Sequence, residues 1–148
     1  MNEVRLRFWE QLRLTNPELF NGAPARQHFY NLVHRECLPF RIRLNIYCTR
    51  HYYENNGFLT VRVLTAGNQI GNLSRQLAII NQGIIIEPID FQPPIGYDII
   101  CRNFDPAYQI GEDDSNWAMA NDWFKKNVSM LVKELKELAK NVSISRQH

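Results

Sequence analysis

A chain of 148 residues with 45% hydrophobic and 22% charged residues has the composition of one globular domain, 1–148, which excludes a disordered tail, a collagen-like repeat and two comfortable domains. The net charge of +2 is too mild to demand a nucleic-acid partner. No run approaches the roughly 18 apolar residues of a membrane span, the charged N-terminus is not a signal-peptide core, and three scattered cysteines (Cys37, Cys48, Cys101) do not make a secreted disulfide framework, so a cytoplasmic protein is expected.

The first element is an amphipathic helix over Asn2–Thr15. Val4, Phe8 and Leu12 recur at helical spacing with Trp9 beside them. Asn16 precedes Pro17, which biases it out of the helical region and ends the helix. Pro24 can open a short second helix through about His34, burying Phe29, Leu32 and Val33. From Phe40 to Tyr53 the chain reads as a strand, because Phe40, Ile42, Leu44, Ile46 and Cys48 alternate with Arg41, Arg43, Asn45, Tyr47 and Thr49. Asn56-Gly57 is a strong hairpin signal. A two-residue turn there pairs Asn55 with Phe58, Tyr53 with Thr60 and His51 with Arg62. In that register the apolar sets of both strands fall on one face.

Asn68–Gln82 has helical spacing, with Asn68 as cap and Gly83 at the C-terminus. Ile84-Ile85-Ile86 reads as a central strand covered on both faces, although Pro88 hints at an edge or bulge. The unit from Phe58 to Phe91 fits a parallel crossover. Tyr97–Phe104 is a further strand, and Asn116 to about Asn141 the longest helix, with 142–148 a frayed tail. The fold expected is α+β: a mostly antiparallel sheet of about four strands, helices on one face, and helices at both termini.

The sequence carries few groups arranged for catalysis. His28, His34 and Cys37 lack the spacing of a zinc site, and no nucleophile motif or phosphate loop is present. Thr65–Gly71 joins a strand to a helix N-terminus, where either an anion or a simple cap fits. Glu87, Asp90 and Asp98 could sit on adjacent strand ends, as in a metal-dependent nuclease. Yet all five lysines lie in the last helix, away from such a centre, so no metal and no cofactor is expected. The region before Asp105 carries 11 arginines and no lysine against 8 acids. Arg41, Arg43, Asn45, Tyr47 and Arg62 share one strand face, a candidate phosphate-and-base surface. The alternative is a plain polar solvent face.

Arg5, Phe8 and Trp9, the hairpin, the helix leading into a strand, and the closing Trp117 and Asn121-Asp122-Trp123-Phe124 together resemble a prokaryotic domain of unknown function, number 4268. The likeness spans nearly the whole chain, but Gly71, Asn72 and Ser74 stand where charged residues belong in that pattern. The resemblance implies an accessory role beside nuclease-like domains that handle foreign DNA, and it supplies no catalytic residue. The expected function is a non-enzymatic binding or accessory module partnered by nucleic acid or a nucleic-acid enzyme. The alternatives are a homo-oligomeric protein-interaction domain and a metal-dependent nuclease relic. Self-association is expected because Trp9, Trp117, Trp123 and Phe124 look too many for one small core.

Overall fold

A computed structural model describes residues 2–18, 20, 29–32, 41–64, 84–88 and 97–147. The elements are helix α1 (Asn2–Thr15), strands β1 (Phe29–Leu32) and β2 (Arg41–Ile46), helix α2 (Arg50–Asn56), strands β3 (Leu59–Leu64), β4 (Ile84–Pro88) and β5 (Tyr97–Asn103), and helix α3 (Trp117–Gln147). The class is α+β. All described strand pairs are antiparallel, in a five-stranded sheet of order β1-β2-β3-β5-β4.

Helix α1 has the bounds its periodicity predicts. Past Thr15 the backbone turns tightly, with Asn16 N–H donating to Leu12 O at 3.1 Å and Phe20 N–H to Asn16 O at 2.8 Å. Val4, Phe8, Trp9 and Leu12 are buried against Ile42, Leu44 and Ile46 of β2 and Leu59, Val61 and Val63 of β3. From α3, Ala120, Phe124, Val128 and Leu131 complete this layer. The side chains of Leu135 and Leu138, further along α3, lie outside the described ones. Gln11 and Asn121 tie the two helices by reciprocal amide hydrogen bonds, both 2.7 Å.

The short helix expected over Pro24–His34 is corrected: Phe29–Leu32 is a strand, paired with β2 from Phe29↔Asn45 to Leu32↔Ile42. Tyr30 explains the change. An aromatic side chain suits a pleated surface, and here its ring lies 5.9 Å from that of Trp9 while its hydroxyl donates to Phe20 O at 3.1 Å. The remainder of that expected helix lies outside the described residues, as does the helix expected over Asn68–Gln82.

The tight hairpin is also corrected. Strand β2 stops at Ile46, and α2 fills the space before β3. The register is Arg43↔Arg62, Asn45↔Thr60 and Ile46↔Leu59, so Thr60 meets Asn45 rather than Tyr53. The shift is even, and the expected face assignment survives it. Alternation itself signals the strand's end, because continuing it would place Arg50, Glu54 and Asn56 on the apolar side. As a helix, the same residues find local partners: Arg50 pairs with Glu54 at 2.6 Å, and Asn56 Nδ2 donates to Tyr52 O at 2.9 Å. Gly57 then ends the helix, its N–H donating to Tyr53 O, which is the other common use of Asn-Gly.

Strands β3 and β4 run parallel with β5 between them, because both are antiparallel to β5. The expectation of a central β4 is corrected: it forms the edge of the described sheet, and Pro88 sits at its end opposite Tyr97, where a missing ladder donor costs least. The fifth strand, against about four expected, is β1. The last helix runs through the expected frayed tail to Gln147.

The crowding expected of the aromatic residues does not occur. Trp9 and Phe124 are fully buried, and Trp117 and Trp123 pack against the core from its margin. Phe8 holds this cluster together, meeting Trp117 edge-on at 5.6 Å and Trp9 at 5.4 Å. Edge-on pairing of this kind uses the ring quadrupoles favourably. The exposed-aromatic ground for self-association is thereby removed.

Cys101 is buried, and burial pushes its thiol up from 9.0 to about 11. The folded chain therefore keeps a proton that the unfolded chain releases. Its contribution to stability is complete below about pH 9 and is lost as pH rises through about 11. Native Cys101 should resist iodoacetamide at pH 8 and react after unfolding, with peptide mass spectrometry as the readout. Rapid native alkylation of Cys101 would contradict its burial.

Candidate functional site

The five residues expected to share one surface are divided by the structure. Arg43 and Arg62 stand directly opposite each other on β2 and β3, half-buried, and both are engaged in interactions. Arg41 stands opposite Leu64 in the register, its side chain outside the described ones. The face they occupy is not an open polar sheet, since Asn45, Thr60 and Ile100 on it are 7%, 2% and 0% exposed. The expectation of a bare solvent face is corrected at these positions.

Asn45, at the end of that face, and Tyr47 also border a cleft. Beyond Ile46 the chain leaves the strand, although Tyr47 N–H still donates to Phe58 O at 2.9 Å. Between α1, the end of β2 and α2 lies a cleft of about 410 Å³, bordered by Arg5, Asn45, Tyr47, Cys48, Thr49 and Tyr52, with Ile46 and Asn56 completing its wall. That volume suits one small ligand.

Each wall follows from local structure. Arg5 stands four residues before Trp9 on α1, beside the buried stripe, so its aliphatic stem follows apolar surface while its head reaches the cleft. There Nε donates to Cys48 Sγ at 3.4 Å, and the Cys48 thiol in turn donates to Ile110 O at 3.6 Å. Ile110 is itself buried. It is held by a loop in which Asp105 accepts from Ala107 N–H, and Asn116 donates to the carbonyls of Ala107 and Gln109. Tyr47 and Tyr52 stack at 6.2 Å with 26° between their planes, and His51 meets Tyr52 edge-on. Thr49 precedes α2 without using its hydroxyl as a cap.

Among the described residues bordering the cleft, Arg5 is the one that carries a charge, and none of them is a carboxylate. Chemically the cleft offers a guanidinium, aromatic faces and neutral hydrogen-bonding groups. Of these residues the sequence pattern singled out Asn45 and Tyr47. Arg5, Thr49, Tyr52 and Asn56 were missed, and the break in alternation after Cys48 is the signal that finds the last three.

Among the described residues no cluster of His, Cys, Asp or Glu could hold a metal ion. Glu87 and Asp98 do stand opposite each other in the β4–β5 register, but their side chains, like Asp90 as a whole, lie outside the described ones. So do His28, His34, Cys37 and the Thr65–Gly71 junction. No described helix is long and apolar enough to cross a membrane. No family model, curated protein or solved structure matches the chain.

Proposed function

We propose that this chain is a non-enzymatic binding module for single-stranded nucleic acid, and that one nucleotide of the strand enters the α1–β2–α2 cleft. One observation carries the reading: the guanidinium of Arg5 and the stacked Tyr47 and Tyr52 converge on a single cavity that, among the described residues, no carboxylate borders. A phosphate favours the guanidinium, which contacts anions in a planar, bidentate manner. A base favours the aromatic face, and such stacking contributes about 1–3 kcal/mol per base. The arginine-bearing face of β2 and β3 serves this reading less well, because Arg43 and Arg62 are already engaged.

The test is binding of a fluorescein-labelled thymidine oligomer across a salt series. Wild type should bind at low salt. Tyr47→Ala should weaken binding about tenfold. Arg5→Gln should weaken it comparably and flatten the salt slope by about one unit. Arg43→Gln should leave the affinity within about twofold, since no contact is assigned to it. Absence of binding at low salt, or an Arg5→Gln variant indistinguishable from wild type, would overturn the proposal.

A further inference from the structure

We infer that the cleft takes one base parted from its neighbours in the strand, and so selects weakly stacked strands, pyrimidine runs ahead of adenosine runs. This rests on the strand-binding reading above. Tyr47 and Tyr52 border the cleft, and His51 adjoins Tyr52. These rings do not form a ladder. A base held between two rings needs a contact of about 3.5–4.0 Å on each side, hence about 7–8 Å from ring to ring. Tyr47 and Tyr52 stack with centroids 6.2 Å apart and planes within 26°, so they close on each other and admit no base between them. His51 stands at 74° to Tyr52, with centroids 5.1 Å apart. It offers no parallel surface on which a second base could continue the stack.

Depth imposes the same parting. Tyr47 and Arg5 are half-buried, whereas Tyr52 at the rim is 54% exposed and His51 is exposed. A base that reaches Tyr47 passes the rim and enters a space of about 410 Å³, while its neighbours stay outside. Among the described residues no further ring borders the cleft to replace the stacking left behind. The base therefore exchanges contacts with its neighbours for contact with one aromatic wall. That exchange is least favourable where neighbours stack most strongly, as adenines do, and most favourable in a flexible pyrimidine run. A paired strand must also give up its pairing.

The experiment measures fluorescence anisotropy with thymidine and adenosine oligomers of equal length, and with strands of abasic nucleotides carrying one thymidine or one adenosine. Wild type should bind the thymidine run about fivefold more tightly than the adenosine run. The two single-base strands should bind within about twofold of each other, because neither base has a neighbour to leave. In Tyr47→Ala, with folding checked by circular dichroism, the preference between the runs should disappear, since the remaining phosphate contacts leave the stack intact. If Tyr47→Ala does not fold, the wild-type comparisons decide. Equal wild-type affinities for the two runs, a lone adenosine as disfavoured as the adenosine run, or a preference that survives in folded Tyr47→Ala would overturn this inference and leave nucleotide binding standing. Failure of every strand to bind at low salt would overturn both.

Discussion

Gly57→Ala should lower the stability of the fold by about 3 kcal/mol or more, one of the largest effects expected of a single-methyl change outside the apolar core. Gly57 has φ +80° and ψ 178°, a region essentially restricted to glycine, in which another residue costs about 1–3 kcal/mol. Space makes the cost larger. An added Cβ would lie 2.6 Å from Asn103 O, and that oxygen already accepts from Phe58 N–H at 2.7 Å. Relief of the clash therefore pulls apart the start of the β3–β5 pair, where Leu59 faces Asn103. In urea the unfolding midpoint should fall by about 1.5 M at an ordinary slope. Asn56→Ala, which removes only an exposed side-chain bond to Tyr52 O, should cost less than about 1 kcal/mol. A Gly57→Ala cost as small as that of Asn56→Ala would contradict the geometry of this turn.

Trp9→Ala should cost about 3–5 kcal/mol, a large share of the roughly 5–15 kcal/mol that holds a domain together. The ring is fully buried and touches Phe8, Tyr30 and Phe124 with centroid separations of 5.4, 5.9 and 5.6 Å. It thus joins α1 to both β1 and α3, and its loss leaves a cavity shared by three elements. Trp9→Phe should be milder than the lost volume suggests. The indole Nε1 is buried without a partner, and phenylalanine removes that unmet donor along with part of the ring. Leu14→Ala, at a side chain 71% exposed, should change stability by less than about 0.5 kcal/mol. Equal midpoints for the Trp9 and Leu14 variants would contradict the core described.

Particular residues show what the sequence could reveal. Helix α1 was legible because Val4, Phe8 and Leu12 fix its face and Pro17 fixes its end. The sidedness of β2 and β3 was legible because alternation is a local property that an even register shift leaves intact. The connection between them was harder to read, because Asn56-Gly57 serves a type I′ turn and a helix C-terminus equally well, and only the break in alternation after Cys48 favours the helix. Strand β1 was hidden because its four residues gain their meaning from Leu44 and Trp9, far along the chain. The sheet face bearing Arg43 and Arg62 could not be judged for access, since burial at Thr60 and Ile100 is a tertiary fact. The cleft was half legible. Asn45 and Tyr47 carry their chemistry in plain view, whereas Arg5 joins them through a contact spanning 43 positions.

Amide chemical-shift mapping during titration with an unlabelled thymidine oligomer locates the bound strand. The shifts should concentrate at Arg5, at Asn45 to Thr49, and at Tyr52 and Asn56, the residues around the cleft. Shifts centred on Arg43 and Arg62, with the residues of the cleft unmoved, would contradict binding at the cleft.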